Sequence, residues 1–270
     1  MSGATRSHLP PHAVETIHAF LRAHALGDGG TGVVVGLSGG VDSALVARLA
    51  RDALGADRVL GVLLPDPHVP AELVEETVGY ARELGIAHRT VPIDPLEAAF
   101  RAALPEVTDR LGLGNAAARL RMTVLYALAR ESGRRVAGTG NKSELLLGYF
   151  TKYGDGGVDL LPIGDLYKTD VWALARELGL PAAVVDRAPS AGFWPGQTDE
   201  GELGVRYADV DRILRRLELL EREEEIVRAT GLPEGIVRKV LARVDQHRHK
   251  RRLPPVAKLG LRTVGLDWRE

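Results

Sequence analysis

Residues 36–43 read Gly36-Leu37-Ser38-Gly39-Gly40-Val41-Asp42-Ser43, between an apolar run and a helix-forming run. Small residues at such a strand-to-helix turn let successive backbone N–H groups point inward as an anion nest. The helix N-terminus behind the turn adds partial positive charge. Gly36, Leu37, Ser38, Gly39, Gly40, Val41, Asp42 and Ser43 therefore form a candidate phosphate loop, with the Ser38 and Ser43 hydroxyls as further donors. Asp42 would repel a bare phosphate, but it belongs there if Mg²⁺ stands between the two. The lysine of a Walker A loop is missing, and the dinucleotide pattern GxGxxG is absent. The bland alternative is a Gly-Ser turn with Asp42 as a helix first-turn charge.

A loop of this kind needs a strand before it and a helix after it. Val33, Val34 and Val35 lie in an apolar run that predicts a buried strand over Thr31–Leu37, and Asp42–Leu54 reads as a helix. Further strands are expected at Arg58–Leu64, at Ile86–Ile93 and from Arg135. Helices are expected from Pro10-Pro11 to His24 and over Ala71–Leu84, Asn115–Glu131, Lys168–Gly179, Tyr207–Ala229 and Pro233–Gln246. Alternating strands and helices predict an α/β fold, a doubly wound, mostly parallel sheet with flanking helices. Two irregular stretches, Gly138–Pro162 and Pro189–Gly204, interrupt the pattern, and long loops of this kind are often functional.

Composition narrows the class. The 270 residues, 45% hydrophobic and 26% charged, describe an ordinary globular chain, read here as one domain over residues 1–270. Without cysteine there is no disulfide, thiolate metal site or cysteine nucleophile. The opening MSGATRSHLPPHAVETIHAF lacks an apolar leader core, and no run approaches the ~20 residues of a membrane helix. A cytoplasmic protein with no membrane partner is the expectation. A net charge of −1 carries no global nucleic-acid footprint, and none is expected as a partner. Charge is nonetheless uneven: from Arg238 to Glu270 there are ten Lys/Arg against three Asp/Glu. That stretch is either a solvated face or a tail that meets a phosphate ligand.

The loop at 36–43 resembles the SGGxDS loop of the ATP pyrophosphatases, of the adenine nucleotide alpha-hydrolase-like superfamily. Longer segments narrow the resemblance. Gly114-Asn115-Ala116-Ala117-Ala118-Arg119-Leu120-Arg121-Met122, Gly138-Thr139-Gly140-Asn141-Lys142-Ser143-Glu144 and Gly148-Tyr149-Phe150-Thr151-Lys152-Tyr153-Gly154-Asp155-Gly156-Gly157 are similar to segments of the NAD⁺ synthetases. So are Pro162–Lys168, Pro189-Ser190-Ala191 with Trp194–Gly204, and His249-Lys250-Arg251-Arg252. The resemblance covers roughly residues 12–260 and is to the ammonia-dependent type.

That resemblance implies ATP-dependent amidation of deamido-NAD⁺ with ammonia through an adenylated intermediate, releasing AMP and pyrophosphate. It implies a C–N ligase in the last step of NAD⁺ biosynthesis. By the same resemblance Asp42 and Glu144 would hold Mg²⁺. The 36–43 loop with Thr139, Lys168 and Ser190 would bind ATP, and Arg119, Lys152, Asp159, His249 and Lys250 would bind deamido-NAD⁺. Ser190 stands where many members carry threonine, and Gln246–His249 departs from the commoner Glu-His-Lys pattern, which leaves the register of His247 against His249 open. Tyr149, Phe150 and Tyr153 are either stacking partners for nicotinate or satellite core. The glutamine-dependent members carry an N-terminal amidase domain with a cysteine nucleophile; with the loop beginning at residue 36 and no cysteine, use of free ammonia is the expectation for this chain.

Members are homodimers, and the apolar helix face at Met122, Val124, Leu125 and Leu128 is a candidate contact, with intramolecular core as the alternative. Two other functions remain: an ATP pyrophosphatase acting on a tRNA base or another carboxylate, and a nucleotide-binding sensor that has lost catalysis.

Overall fold

Val33, Val34 and Val35 are fully buried and form the heart of the central strand. Being β-branched and consecutive, they suit a strand covered on both faces. The computed structural model describes residues 9–190, 192–194, 196–264 and 267. Residues 1–8, Ala191 and Pro195, which take in part of the expected leaderless start and of the Pro189–Gly204 segment, lie outside the described residues.

In chain order the elements are α1 (Ala13–Leu26), β1 (Val33–Gly36), α2 (Val41–Leu54), β2 (Val59–Leu63), α3 (Ala71–Glu83), β3 (Ala87–Thr90), α4 (Asp94–Ala103) and α5 (Arg110–Ser132). Then come β4 (Arg135–Ala137), α6 (Lys142–Leu147), α7 (Lys168–Glu177), α8 (Ala182–Val185), α9 (Asp199–Leu203), α10 (Tyr207–Glu218), α11 (Glu223–Thr230) and α12 (Glu234–Gln246). The strands pair in parallel in the order β3-β2-β1-β4, with Val33 beside Val59 on one side and Arg135 on the other.

Alternation along β1 divides its valines between two layers. Val33 and Val35 join Leu45 and Leu49 of α2, Leu21 of α1 and Leu174 of α7 in one cluster. Val34 joins Val62, Val136 and Ala129 of α5 in another on the opposite face. The sheet is therefore doubly wound, as expected. A third cluster gathers Leu147 of α6, Tyr167 just before α7, and Tyr207, Ile213, Leu214, Ile226, Val237 and Val240 from α10–α12. Trp172 packs against both this cluster and the first.

Several elements depart from expectation. The strands are shorter than predicted, because apolar flanking residues continue beyond the ladder. α4 was not expected, although Asp94-Pro95 is a helix-start signature. The expected helix Tyr207–Ala229 is broken into α10 and α11 at Leu219–Leu220, where Leu220 adopts φ +61°. Neither glycine nor proline marks that break. The irregular Gly138–Pro162 stretch contains α6, started by a capping box between Asn141 and Glu144.

From β1 the chain moves outward to β2 and β3, then returns to β4 on the other side of β1. The carboxyl ends of β1 and β4 thus form the topological switch point at which such sheets bind ligands. The 37–40 and 138–141 segments leave the sheet there.

Candidate active site

The loop between β1 and α2 is closed by its own hydroxyls. Ser43 Oγ donates to the Gly40 carbonyl at 2.9 Å and lies 3.2 Å from Ser38 Oγ. The Ser38 N–H donates to Ser43 Oγ and the Gly40 N–H to Ser38 Oγ, both at 3.3 Å. Gly39 sits at φ +80°, and a Cβ there would lie 2.5 Å from Leu73 Cδ1, so the turn requires glycine. Arg187, just after α8, donates to the Gly39 carbonyl and, at 2.5 Å, to Glu76 Oε2 of α3. The guanidinium pins the loop from outside.

Behind the loop stands a charge cluster built around a buried lysine. Lys168, at the start of α7, is 2% exposed. Its Nζ donates to Asp42 Oδ2 at 2.5 Å and to Glu144 Oε1 at 3.3 Å. Asn141, fully buried, joins the same two acids: its Nδ2 donates to Asp42 Oδ1 at 2.9 Å, and its N–H donates to Glu144 Oε2 at 3.2 Å. The Asn141 side-chain oxygen in turn accepts from the Glu144 N–H. Burial pushes the Glu144 carboxyl up to about 8, against the pull of Lys168 and with the push of Asp42. Burial alone would lower the Lys168 ammonium, but Asp42 and Glu144 outweigh it and hold the group well above its ordinary value. Asp199 of α9 adds a third acid, 4% exposed, raised by burial and bonded by the Tyr207 hydroxyl at 3.2 Å. Among the described residues no three His, Cys, Asp or Glu form a metal-holding group by themselves.

A second group lies where the 148–157 loop meets the C-terminal tail. Arg119 Nε donates to the Lys152 carbonyl at 3.3 Å, and Lys152 Nζ donates to the His249 carbonyl at 2.9 Å. Lys250 Nζ donates to the carbonyls of Gly148 and Phe150 at 2.7 and 2.8 Å. Gly148, at φ +64°, leaves no room for a Cβ, which would lie 2.2 Å from His247 Cβ. Burial and the positive charges of Arg243 and Arg119 lower the Lys250 ammonium, although Asp155 opposes them. Thr151 ties the loop to α5 by donating its hydroxyl to Asn115 Oδ1 at 2.7 Å.

The family model described as NAD synthase matches residues 13–254. The chain belongs to the NAD synthase family. It is therefore an enzyme, a ligase that joins carbon to nitrogen. An NH₃-dependent NAD⁺ synthetase of Methanosarcina mazei is 49% identical over 92% of this chain and 98% of that protein. Among solved structures, an NMN synthetase from Francisella tularensis superposes with a TM-score of 0.83 at 34% identity, over 93% of this chain and 99% of that one. An NH₃-dependent NAD synthetase from Campylobacter jejuni gives 0.78 at 31% identity, over 91% and 97%.

Within this NAD synthase fold, Asp42, Glu144 and Lys168 converge at the switch point with the 36–43 loop. Thr139 is half-buried two residues past β4, on the same edge. Ser190 is exposed, and its hydroxyl accepts the Gly192 N–H at 3.1 Å. Arg119, Lys152, His249 and Lys250 come together in the second group. Asp159, on the segment paired with β4, is bonded at both oxygens: Oδ2 accepts the Val136 N–H at 2.7 Å and Oδ1 the Tyr126 hydroxyl at 3.0 Å. Tyr149 packs against the C-terminal cluster and donates to Glu202 at 2.5 Å, whereas Tyr153 is 52% exposed. Sequence reasoning assigned no role to Asn141, Arg187 or Asp199. The Asn-x-x-Glu capping box was a usable signal for Asn141. Arg187, in the short link after α8, and Asp199, at the start of the five-residue α9, carry no sequence signal, and only the tertiary contact singles them out.

Proposed function

We propose that this ligase carries out ATP-dependent amidation of deamido-NAD⁺ with ammonia, giving NAD⁺, AMP and pyrophosphate. One observation carries the reading: a buried Lys168 between the half-buried carboxylates of Asp42 and Glu144 stands directly behind a serine- and glycine-built anion loop. That arrangement suits cleavage of ATP between its α and β phosphates. The loop N–H groups and hydroxyls receive the pyrophosphate end, and Lys168, Thr139 and Ser190 bind the remainder of ATP. Arg119, Lys152, His249 and Lys250 receive deamido-NAD⁺, with Asp159 at its pyridine end.

Asp42 and Glu144 fit Mg²⁺, which is commonly held by one or two carboxylates completed by substrate phosphate oxygens. Their oxygens already converge on one cation, Lys168 Nζ. Bound there, the ion would neutralise charge on the phosphates. The nicotinate carboxylate attacks the α-phosphorus, and the bond to the β-phosphate breaks as pyrophosphate leaves. Ammonia then attacks the activated carbonyl carbon and loses a proton to solvent, and the C–O bond to AMP breaks. Neither step uses a protein nucleophile. The chain's work is charge neutralisation and positioning.

The chain is read as one synthetase domain, because Leu147 and Tyr167 of the site segments share a cluster with α10–α12. A homodimer is supported by the exposed Leu96 of α4, Leu104 just after it and Leu111 of α5. Met122 is half-buried, while Val124, Leu125 and Leu128 already pack against the sheet and are the weaker part of the expected contact. Among the described residues no helix is long and apolar enough to cross a membrane. Charged nucleotide substrates, which do not cross bilayers unaided, fit a cytoplasmic location.

The test is incubation of the purified chain with ATP, Mg²⁺, deamido-NAD⁺ and ammonium, following AMP and NAD⁺ together. Equal formation of both, dependent on ammonium, is expected. AMP without NAD⁺ would leave the adenylation chemistry and discard the acceptor. Nicotinate mononucleotide offered in parallel tests whether this chain instead makes NMN, the product in the name of the Francisella relative, and a preference for it would overturn the dinucleotide assignment.

A further inference from the structure

α10 carries an aspartate where its helix is otherwise packed with apolar side chains. Val210, Ile213 and Leu214 are fully buried, and Asp211 between them is 1% exposed. A carboxylate at such a depth costs several kcal/mol unless its oxygens are bonded. Both are. Oδ1 accepts the Ser143 hydroxyl at 2.5 Å, and Oδ2 accepts the Thr169 N–H at 2.8 Å. Ser143 Oγ also accepts the Lys168 N–H at 2.9 Å, which fixes its own proton toward Asp211.

Ser143 precedes Glu144, and Thr169 follows Lys168. One carboxylate from a helix outside the site therefore holds the first turns of both α6 and α7, the turns that deliver the two opposing charges. The same α10 face continues outward, at helical spacing. Arg215 donates to Asp170 Oδ2 at 2.6 Å. Glu218, half exposed at 52%, accepts from Lys142 and the Tyr167 hydroxyl. These outer contacts dock the helix, whereas Asp211 is the α10 side chain that bonds the backbone beside Lys168 directly.

We propose that Asp211 is a positioning residue for the reaction, setting the separation of Glu144 and Lys168 through Ser143 and the Thr169 N–H. The inference rests on the ATP-site reading given above. Asparagine has nearly the same shape but cannot accept from both donors. If its oxygen keeps the Thr169 N–H, its amide faces the Ser143 hydroxyl, which must turn away from its present acceptor.

The experiment compares wild type, Asp211→Asn, Ser143→Ala, the double variant and Glu218→Gln. It measures melting temperature, ATP affinity by calorimetry without deamido-NAD⁺, and steady-state kinetics at a temperature where every variant is folded. Asp211→Asn is expected to lower kcat by roughly 10- to 100-fold, the scale of a misplaced reacting group. ATP affinity should fall with it, and KM for deamido-NAD⁺ should stay unchanged. Ser143→Ala should act in the same direction, and the double variant should be no worse than Asp211→Asn, because the two residues act in one chain. Glu218→Gln should retain wild-type kinetics. A lower melting temperature with wild-type kcat and ATP affinity in Asp211→Asn and Ser143→Ala would reduce Asp211 to a stabilising residue and overturn the proposal. An equal rise in both substrates' KM would overturn it as well. Absence of AMP and NAD⁺ formation by the wild type would instead overturn the reading on which it rests.

Discussion

The two groups of charged residues are built by opposite means. At the switch point Lys168 is buried and faces two carboxylates, and Asn141 bonds both of those acids. At the tail, Lys152 and Lys250 are aimed at backbone carbonyls. Among the described residues neither these lysines nor Arg119 form a salt bridge with a carboxylate. The first group sets its one cation among acids, each tied to it or to Asn141 by side-chain or backbone hydrogen bonds. The second keeps net positive charge near the surface, where an anionic ligand can use it. On the proposed reading, the contrast sets an ATP centre built from buried and half-buried side chains against a dinucleotide site in which a tail lies over a loop.

The harshest way to break that contrast is Lys168→Met. Removing one partner of a buried ionic cluster costs about 3–5 kcal/mol. Loss of a charge that faces developing phosphate charge costs roughly 10²- to 10³-fold in turnover. A thermal melt and an AMP assay check both, and near-normal turnover would show that the cluster is structural.

Lys250→Ala probes the other group. Loss of two charge-assisted bonds to the 148–150 loop is expected to raise KM for deamido-NAD⁺ roughly tenfold. ATP affinity should not move, and a parallel fall in ATP affinity would mean that the two groups are one coupled unit.

Arg187→Ala, which releases the Gly39 carbonyl and Glu76 from a half-exposed side chain, should raise KM for ATP about threefold. Unchanged kinetics would show that the loop's own hydroxyl bonds suffice to hold it.

A separate effect is on stability against pH. Glu144 titrates at about 8 in the folded chain against an ordinary 4.5. Between those values the folded state holds a proton that the unfolded state has released. Its contribution is complete below the lower value, declines as pH rises, and is gone above about 8. The melting temperature of the metal- and ligand-free chain should therefore fall across that window, and Glu144→Gln should flatten the fall. Identical pH profiles for the two chains would show that Glu144 is ionised as an ordinary carboxylate.

Much of the first group was legible because its signals are local. The 36–43 loop combines residue types that turn backbone N–H groups inward, and the valine run before it predicts the strand. The doubly wound sheet followed from alternation of strand and helix. Less legible was everything that depends on contacts between distant segments. α6 is too short to show periodicity, and the break at Leu219–Leu220 carries no turn residue. For Asp159 the resemblance implied a dinucleotide contact. The fold engages both of its oxygens with Val136 and Tyr126, a pairing that no spacing announces.

The sequence by itself determined the sheet's composition, the anion loop and the family, because each rests on residues adjacent along the chain. Only the tertiary structure decided that Lys168 would stand between Asp42 and Glu144, that Asn141 would bond both acids, and that Asp211 would grip the turns beneath them. Those contacts join segments up to 126 residues apart. Their energy lies in burial and hydrogen bonding that exist only once the sheet, α6, α7 and α10 have packed together.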